Sequence, residues 1–517
     1  MHRGTTLHRP LELATSVAQA AALALTLLAL FAAGAAGHVP ADLDRLFGGD
    51  GVIASQANER DLATRHNLLG MRDGSVIAVH VRTAAPPSCG YGIAIERFAG
   101  NTGAPLGSLE LPADGSCSAP IPQAVAIDAD EFGHLFVATA AGSSLRLTRL
   151  REDGTVDPGF GVAASVTFAT PQPVLPSLLR AWSDGEVLIA GRALVSPGPS
   201  ADTFVARVRA DGSLDPAFRD DGISFFDVGI GESAPEPSAL EVEQDGTFFL
   251  AGPLERSPAE RERRPIAVRA FRANGEADPG FGRNGVAKLD GAAAPAMDLD
   301  RGRLLVATSG GGLPPRVIGL KRNGRLDRSF GDAGVVTIRA PQGFSLAEVA
   351  ADPGGRVVVA GSSGCCGPQR QKKFAVRRFE PDGRVDRTFA GGGFFYLNSP
   401  HATPKQAIPV EGLLVSSGNA GGGIIVSGSI GRPPQLAVRF RLEGQASHER
   451  CAGRGATIVG SARGEKLVGT EGADVIVGLG GADRIFGRGG NDVICGGKGR
   501  DVLRGGRGQN RIYPQGG

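Results

Sequence analysis

The chain has 517 residues, and Gly and Pro make up 113 of them, roughly 22% against an ordinary share of about 12%. That content disfavours a mostly helical protein, because both residues break helices, and the absence of a three-residue Gly period excludes collagen. A formal charge of +2 gives no global case for a nucleic-acid or acidic partner.

The chain opens with Arg3 and Arg9, followed by an apolar run from Ala20 to Ala33 and small residues at Ala35, Ala36 and Gly37. This order reads as a secretory signal peptide over residues 1–37, cleaved near Ala35 to Gly37. The run is too short and Ala-rich for a membrane anchor, and no later stretch is long and apolar enough to span a bilayer. Six cysteines after such a signal favour disulfides. Cys89 with Cys117 and Cys451 with Cys495 are the sequence-local pairings, while adjacent Cys365 and Cys366 form a vicinal bridge or stay free.

In the body a short apolar run recurs seven times, 52 to 67 residues apart, as in Val76–Val79, Leu135–Ala138, Val187–Ala190 and Val357–Ala360. After each run comes a strand whose apolar residues largely alternate with Arg, as in Phe204–Val208 and Phe374–Phe379. A tight turn then leads into Asp-x-x-Phe, at Asp157/Phe160, Asp215/Phe218, Asp278/Phe281, Asp327/Phe330 and Asp386/Phe389. About four strands per unit, repeated seven times, predict an all-β, seven-bladed β-propeller over residues 38–446. Asp44/Phe47 precedes the first run and the last unit lacks this motif, so an N-terminal strand is expected to complete the last blade and close the ring. The repeated Asp is expected to cap its turn and the Phe to fill the space between blades, in preference to a ring of cation-binding carboxylates.

Phrases such as Arg384-Val385-Asp386-Arg387-Thr388-Phe389 and Ser213-Leu214-Asp215-Pro216-Ala217-Phe218 make the body, about residues 41–444, resemble the delta-60 repeat family of secreted bacterial β-propellers. That resemblance implies a fold and no particular activity.

Residues 447–459 read as a linker and 460–517 as a small parallel β-roll. From Gly469 the chain follows Gly-Gly-x-Gly-x-Asp-x-apolar-x with a nine-residue period. Asp474, Asp483, Asp492 and Asp501 fill the sixth position, and Asn510 replaces Asp in the last unit. Gly lets backbone carbonyls converge, and Asp adds the hard anionic oxygen that suits Ca²⁺. The array resembles the RTX, or hemolysin-type, calcium-binding repeats. The resemblance implies Ca²⁺ between stacked turns two repeats apart, pairing Asp474 with Asp492 and Asp483 with Asp501, and more weakly Asp492 with Asn510. From Cys451 onward there are ten Lys and Arg against six Asp and Glu, a cationic balance that opposes Ca²⁺ and limits the expectation to two sites of modest affinity. A Cys451–Cys495 bridge would close a long loop around the early turns and contribute about 3–4 kcal/mol.

No catalytic motif occurs: the histidines fit no metal or triad spacing, and there is no nucleophile elbow or phosphate loop. One Trp and three Tyr leave little for an aromatic sugar platform. Lone carboxylates such as Glu131, Glu241 and Asp298 could meet in a propeller funnel, but are expected as solvated loop residues. The chain thus reads as a secreted, non-catalytic, monomeric calcium-binding protein. Its partner is an extracellular or cell-wall ligand and not nucleic acid. A secreted hydrolase or lyase with a site in the propeller channel is the alternative.

Overall fold

The computed structural model describes residues 52–514 apart from inter-strand segments, the longer of which are 55–61, 84–90, 113–124, 195–200, 227–236, 255–264, 364–372, 399–409, 417–422, 430–434, 442–449 and 460–465. The signal segment, Asp44, Phe47, Cys89, Cys117, Cys365, Cys366 and Glu131 lie outside the described residues. Apart from a three-residue 3-10 turn at Asp220–Gly222, the described secondary structure is all strand. No helix among the described residues is long and apolar enough to cross a membrane. The chain divides into two compact units, with one boundary between Gln445 and Ala446.

The larger unit is a β-propeller. Among the described residues it shows seven four-stranded antiparallel sheets in up-and-down order. The first comprises Leu62–Gly70, Val76–Thr83, Tyr91–Phe98 and Pro105–Pro112. Five more follow over residues 125–169, 174–226, 239–289, 296–337 and 345–398. The last contains Val410–Ser416, Gly423–Ser429 and Gln435–Arg441, and Val52–Ala54 pairs antiparallel with Gln435–Arg441 as its fourth strand.

Core clusters lie between consecutive sheets, which explains why the recurrent runs show no polar alternation. Phe136, Leu145, Leu147 and Phe160 pack with Val187, Ile189 and Phe204 of the next sheet, and Leu304, Val306 and Ile318 pack with Phe249 and Val268 of the preceding one. A second strand flanked on both faces by neighbouring blades has no solvent side, so both alternating sets of side chains are apolar.

The Asp-x-x-Phe motif ties each blade to the next. Phe160, Phe218, Phe281, Phe330 and Phe389 are fully buried. The Asp side chain accepts the backbone N–H two residues on, at 3.0 Å for Asp157, Asp215 and Asp278 and 3.2 Å for Asp327. Its carboxylate also takes an Arg from the alternating strand: Arg149 Nε donates to Asp157 Oδ2 at 2.7 Å and Arg378 Nε to Asp386 Oδ2 at 2.6 Å. The same guanidinium lies over the motif Phe, 4.5 Å from Phe160 and 5.0 Å from Phe389. Arg149 Nη1 further reaches the Ala210 carbonyl of the next sheet at 2.9 Å. Capping, ion pairing and packing consume these carboxylates, so the turn-capping reading holds over a cation-binding ring. The hairpin glycine completes the joint: Gly275, at φ +82°, abuts the Phe218 ring, which a Cβ there would meet at 2.9 Å.

The smaller unit is a parallel β-roll. One sheet stacks Ile458–Val459, Val475–Val477, Val493–Cys495 and Arg511–Tyr513; the other stacks Lys466–Val468, Arg484–Phe486 and Val502–Arg504. Strands two repeats apart pair in register, Ile476 with Ile494 and Ile485 with Leu503. The eighth-position side chains Leu467, Ile476, Ile485, Ile494 and Leu503 form the thin core between the sheets. Residues 450–455 and 458–459, within the span expected as linker, instead carry strands. Arg450–Cys451 and Arg454–Gly455 form a hairpin, and Ile458–Val459 starts the first sheet. Cys451 is joined to Cys495 and packs on Val477 and Val493, covering an outer face that is apolar for that reason.

Candidate functional sites

In the roll, the nine-residue period brings together the residue pairs that the sequence indicated. The Asp474 N–H donates to Asp492 Oδ1, and the Asp483 N–H to Asp501 Oδ1, each at 2.9 Å. Each turn is thereby stacked on the one two repeats later, and one carboxylate oxygen per Asp is used in the stacking. The other oxygen is left over. Asp492 Oδ2 and Asp501 Oδ2 are buried without a hydrogen-bond partner. Such an orphaned anionic oxygen is costly.

Both lie beside backbone carbonyls in a space that only glycine leaves open. A Cβ on Gly487 would collide with Asp492 Oδ2 and the Gly505 carbonyl. On Gly496 it would meet Asp501 Oδ2 at 2.5 Å and the Pro514 carbonyl at 2.6 Å. Burial, and then repulsion from Asp474, holds the Asp492 carboxyl above the usual carboxylate range. An oxygen-lined cradle with uncompensated negative charge fits a hard cation. Among the described residues no three His, Cys, Asp or Glu side chains converge, so backbone carbonyls must complete any shell.

Asn510 behaves differently from the Asp residues. Its Oδ1 accepts the Asp492 N–H at 2.9 Å, as expected for the stacked position. Its Nδ2 donates to the Gly506 carbonyl at 3.1 Å. An amide nitrogen therefore stands where the Asp residues place Oδ2, and the third pair offers a cation no second anionic oxygen.

The propeller holds a second polar cluster, on the first strands of four consecutive sheets. Asp128, Arg180, Glu241 and Asp298 occupy one register position, opposite Phe136, Leu188, Phe249 and Leu305. The same position in the other sheets is Leu69, Ala350 and Leu414. Arg180 Nη2 donates to Glu241 Oε1 at 2.8 Å. Asp128 Oδ2 accepts the Ala181 N–H at 2.9 Å and Asp298 Oδ2 the Ala351 N–H at 2.6 Å, so each carboxylate links adjacent sheets. Glu241 and Asp298 are thus strand residues at an inner seam, in place of the solvated loop positions expected, and Asp128 and Arg180 were not singled out from the sequence at all. Their signal is the position opposite the second residue of each apolar run, which is readable only once strand register is known.

Burial pushes Asp128 up to about 6 against the pull of Arg180. Burial, then repulsion from Glu241, pushes Asp298 up to about 7. Both folded values exceed the ordinary 3.8, so the stability associated with these groups is present in full below about pH 4 and is lost as pH rises through 6 and 7. In urea unfolding from pH 4 to 8, the Asp128→Asn/Asp298→Asn variant is expected to flatten that decline. An unchanged slope would contradict the assignment.

Residues 459–494, 468–503 and 496–517 match the family model described as RTX calcium-binding nonapeptide repeat, with four copies. Residues 183–218 and 353–389 match a model described as Domain of unknown function (DUF5122) beta-propeller. The tail carries RTX calcium-binding repeats, and the body carries propeller repeats of unassigned function. No curated protein matches the chain. Among solved structures, a protein of unknown function from Bacteroides caccae is similar at 17% identity and TM-score 0.34, over 62% of this chain and 93% of that one. The beta-propeller domain of the Trilobed protease from Pyrococcus furiosus is similar at 9% and 0.40, over 74% and 94%. The polysaccharide lyase Uly1 is similar at 9% and 0.41, over 73% and 90%.

Proposed function

We propose that the chain is a secreted, non-catalytic, monomeric calcium-binding protein, exported by the segment 1–37. In this reading the seven sheets are the blades of a propeller ring closed by Val52–Ala54, serving as a scaffold for an extracellular or cell-wall ligand. The RTX tail is held in shape by Ca²⁺ at two sites, Asp474 with Asp492 and Asp483 with Asp501. Bound Ca²⁺ would supply the positive charge that the buried carboxylates lack; the chain's own part is to fix Oδ1 in the stacking bond and aim Oδ2 at the glycine cradle. The observation that carries the reading is the orphaned pair of oxygens, Asp492 Oδ2 and Asp501 Oδ2.

Calorimetric titration of the full chain should give two Ca²⁺ ions with dissociation constants of roughly 0.1–1 mM, the range of extracellular modules. No binding by about 10 mM would refute it.

The Asp128–Arg180–Glu241–Asp298 cluster favours a second reading, a secreted hydrolase or lyase. An acid held near pH 7 beside an ion pair is suited to proton transfer. In that case Asp298→Asn would abolish a hydrolytic or lyase activity of the full chain while leaving its fold intact. An activity unaffected by the change would exclude this seam.

A further inference from the structure

Between residues 473 and 514 every Lys and Arg is exposed, while Asp474, Asp483, Asp492 and Asp501 are drawn into the turns. Charge is thus sorted by position: acids inside, cations outside. Among the described residues of this segment no acidic side chain is exposed; Asp474, Asp483 and Asp492 are buried and Asp501 is half-buried.

Four of the segment's seven Lys and Arg lie on one sheet or in the turns that follow its strands. The outer face of the sheet with Cys495 is apolar and covered by the Cys451 hairpin. The opposite sheet has no described segment over it and presents Arg484 and Arg504 on adjacent strands, with Arg504 stacked over the Phe486 ring at 5.8 Å. Arg484–Phe486 runs on into Arg488, and Val502–Arg504 runs on into Arg507. These two turns are stacked, since the Arg507 N–H donates to the Arg488 carbonyl at 2.7 Å. Two arginines on the sheet and two in the turns that follow its strands therefore span two rungs about 4.8 Å apart.

We propose that this face binds an acidic polysaccharide, the four arginines reading its sulfate or carboxylate groups along neighbouring rungs. Guanidinium groups match such anions bidentately and keep their charge at any physiological pH. The flat strand surface suits an extended chain. No aromatic ring on this face is free to stack a base, because Phe486 is half-buried beneath Arg504. Val502 is the large exposed apolar residue of the face, too little to enter a lipid surface. The proposal does not rest on the calcium reading, since the acids are inward whether or not the turns hold a cation.

The test measures binding of the full chain, in 2 mM Ca²⁺, to immobilised chondroitin sulfate, with neutral dextran, a DNA duplex and anionic lipid vesicles as parallel arms. Binding to chondroitin sulfate is expected to weaken steeply with salt and to fall at least about tenfold in the variant Arg484→Gln/Arg488→Gln/Arg504→Gln/Arg507→Gln. These side chains are exposed, and unchanged circular dichroism of the variant shows that the fold is kept. Calorimetry with Ca²⁺ alone reports the calcium reading separately. Absence of binding at 50 mM salt, a variant within twofold of wild type, or tighter binding to DNA or vesicles overturns the proposal.

Discussion

Asp386→Ala will lower the stability of the propeller by about 3–5 kcal/mol. Arg378 and Asp386 form a pair in which both side chains are at most 1% exposed, joined at 2.6 Å. Removing the carboxylate leaves a buried guanidinium without its anionic partner, facing the Phe389 ring 5.0 Å away. The corresponding arginines of other sheets are less sheltered, at 13% for Arg149 and 14% for Arg207, so the same change at Asp157 or Asp215 should cost less. Arg384→Ala is the control: its pair with Asp382 is on the surface, and surface pairs contribute about 0–1 kcal/mol. Urea unfolding followed by the fluorescence of Trp182, the sole tryptophan, reads the difference. A loss below about 1 kcal/mol for Asp386→Ala would show that the pair is not desolvated as described.

Asp492→Asn will weaken calcium binding at least about tenfold at one site and leave the fold standing. The side chain keeps Oδ1, which accepts the Asp474 N–H, and exchanges Oδ2 for an amide nitrogen. The last turn already tolerates that exchange at Asn510. The site shared by Asp483 and Asp501 is untouched, so calorimetric stoichiometry should drop from two ions to one. The pH dependence has a definite sign. Because burial and Asp474 hold the Asp492 carboxyl up, a proton competes with the cation, and wild-type affinity should fall on acidification through the range just above the usual carboxylate values. The variant lacks that component. Two ions retained at wild-type affinity would remove Asp492 from the shell.

Both repeats were legible in the sequence because each is a local pattern imposed many times. The nine-residue spacing put Ile476 and Ile494 in one stack and Asp474 under Asp492, and the structure pairs the residues that way. The recurrence of Phe160, Phe218 and Phe281 marked interblade plugs, all of them buried. What depends on one strand meeting another was not legible. Glu241 and Asp298 looked like isolated carboxylates, and Arg180 carried no signal. Only the register that sets them opposite Phe249, Leu305 and Leu188 places them on one seam. The hairpin at Arg450–Gly455 was hidden similarly, because its stabilising partners, Val477, Val493 and Cys495, come more than twenty residues later.

Calcium in the glycine cradles beside Asp492 and Asp501 is the proposal on which the role of the tail rests. Anomalous diffraction from crystals of the full chain grown in about 10 mM Ca²⁺, above the range of extracellular sites, tests it most directly. The account predicts a peak within calcium–oxygen distance, roughly 2.3–2.6 Å, of Asp492 Oδ2 and another beside Asp501 Oδ2. Two ordered cradles with no peak in either would contradict it.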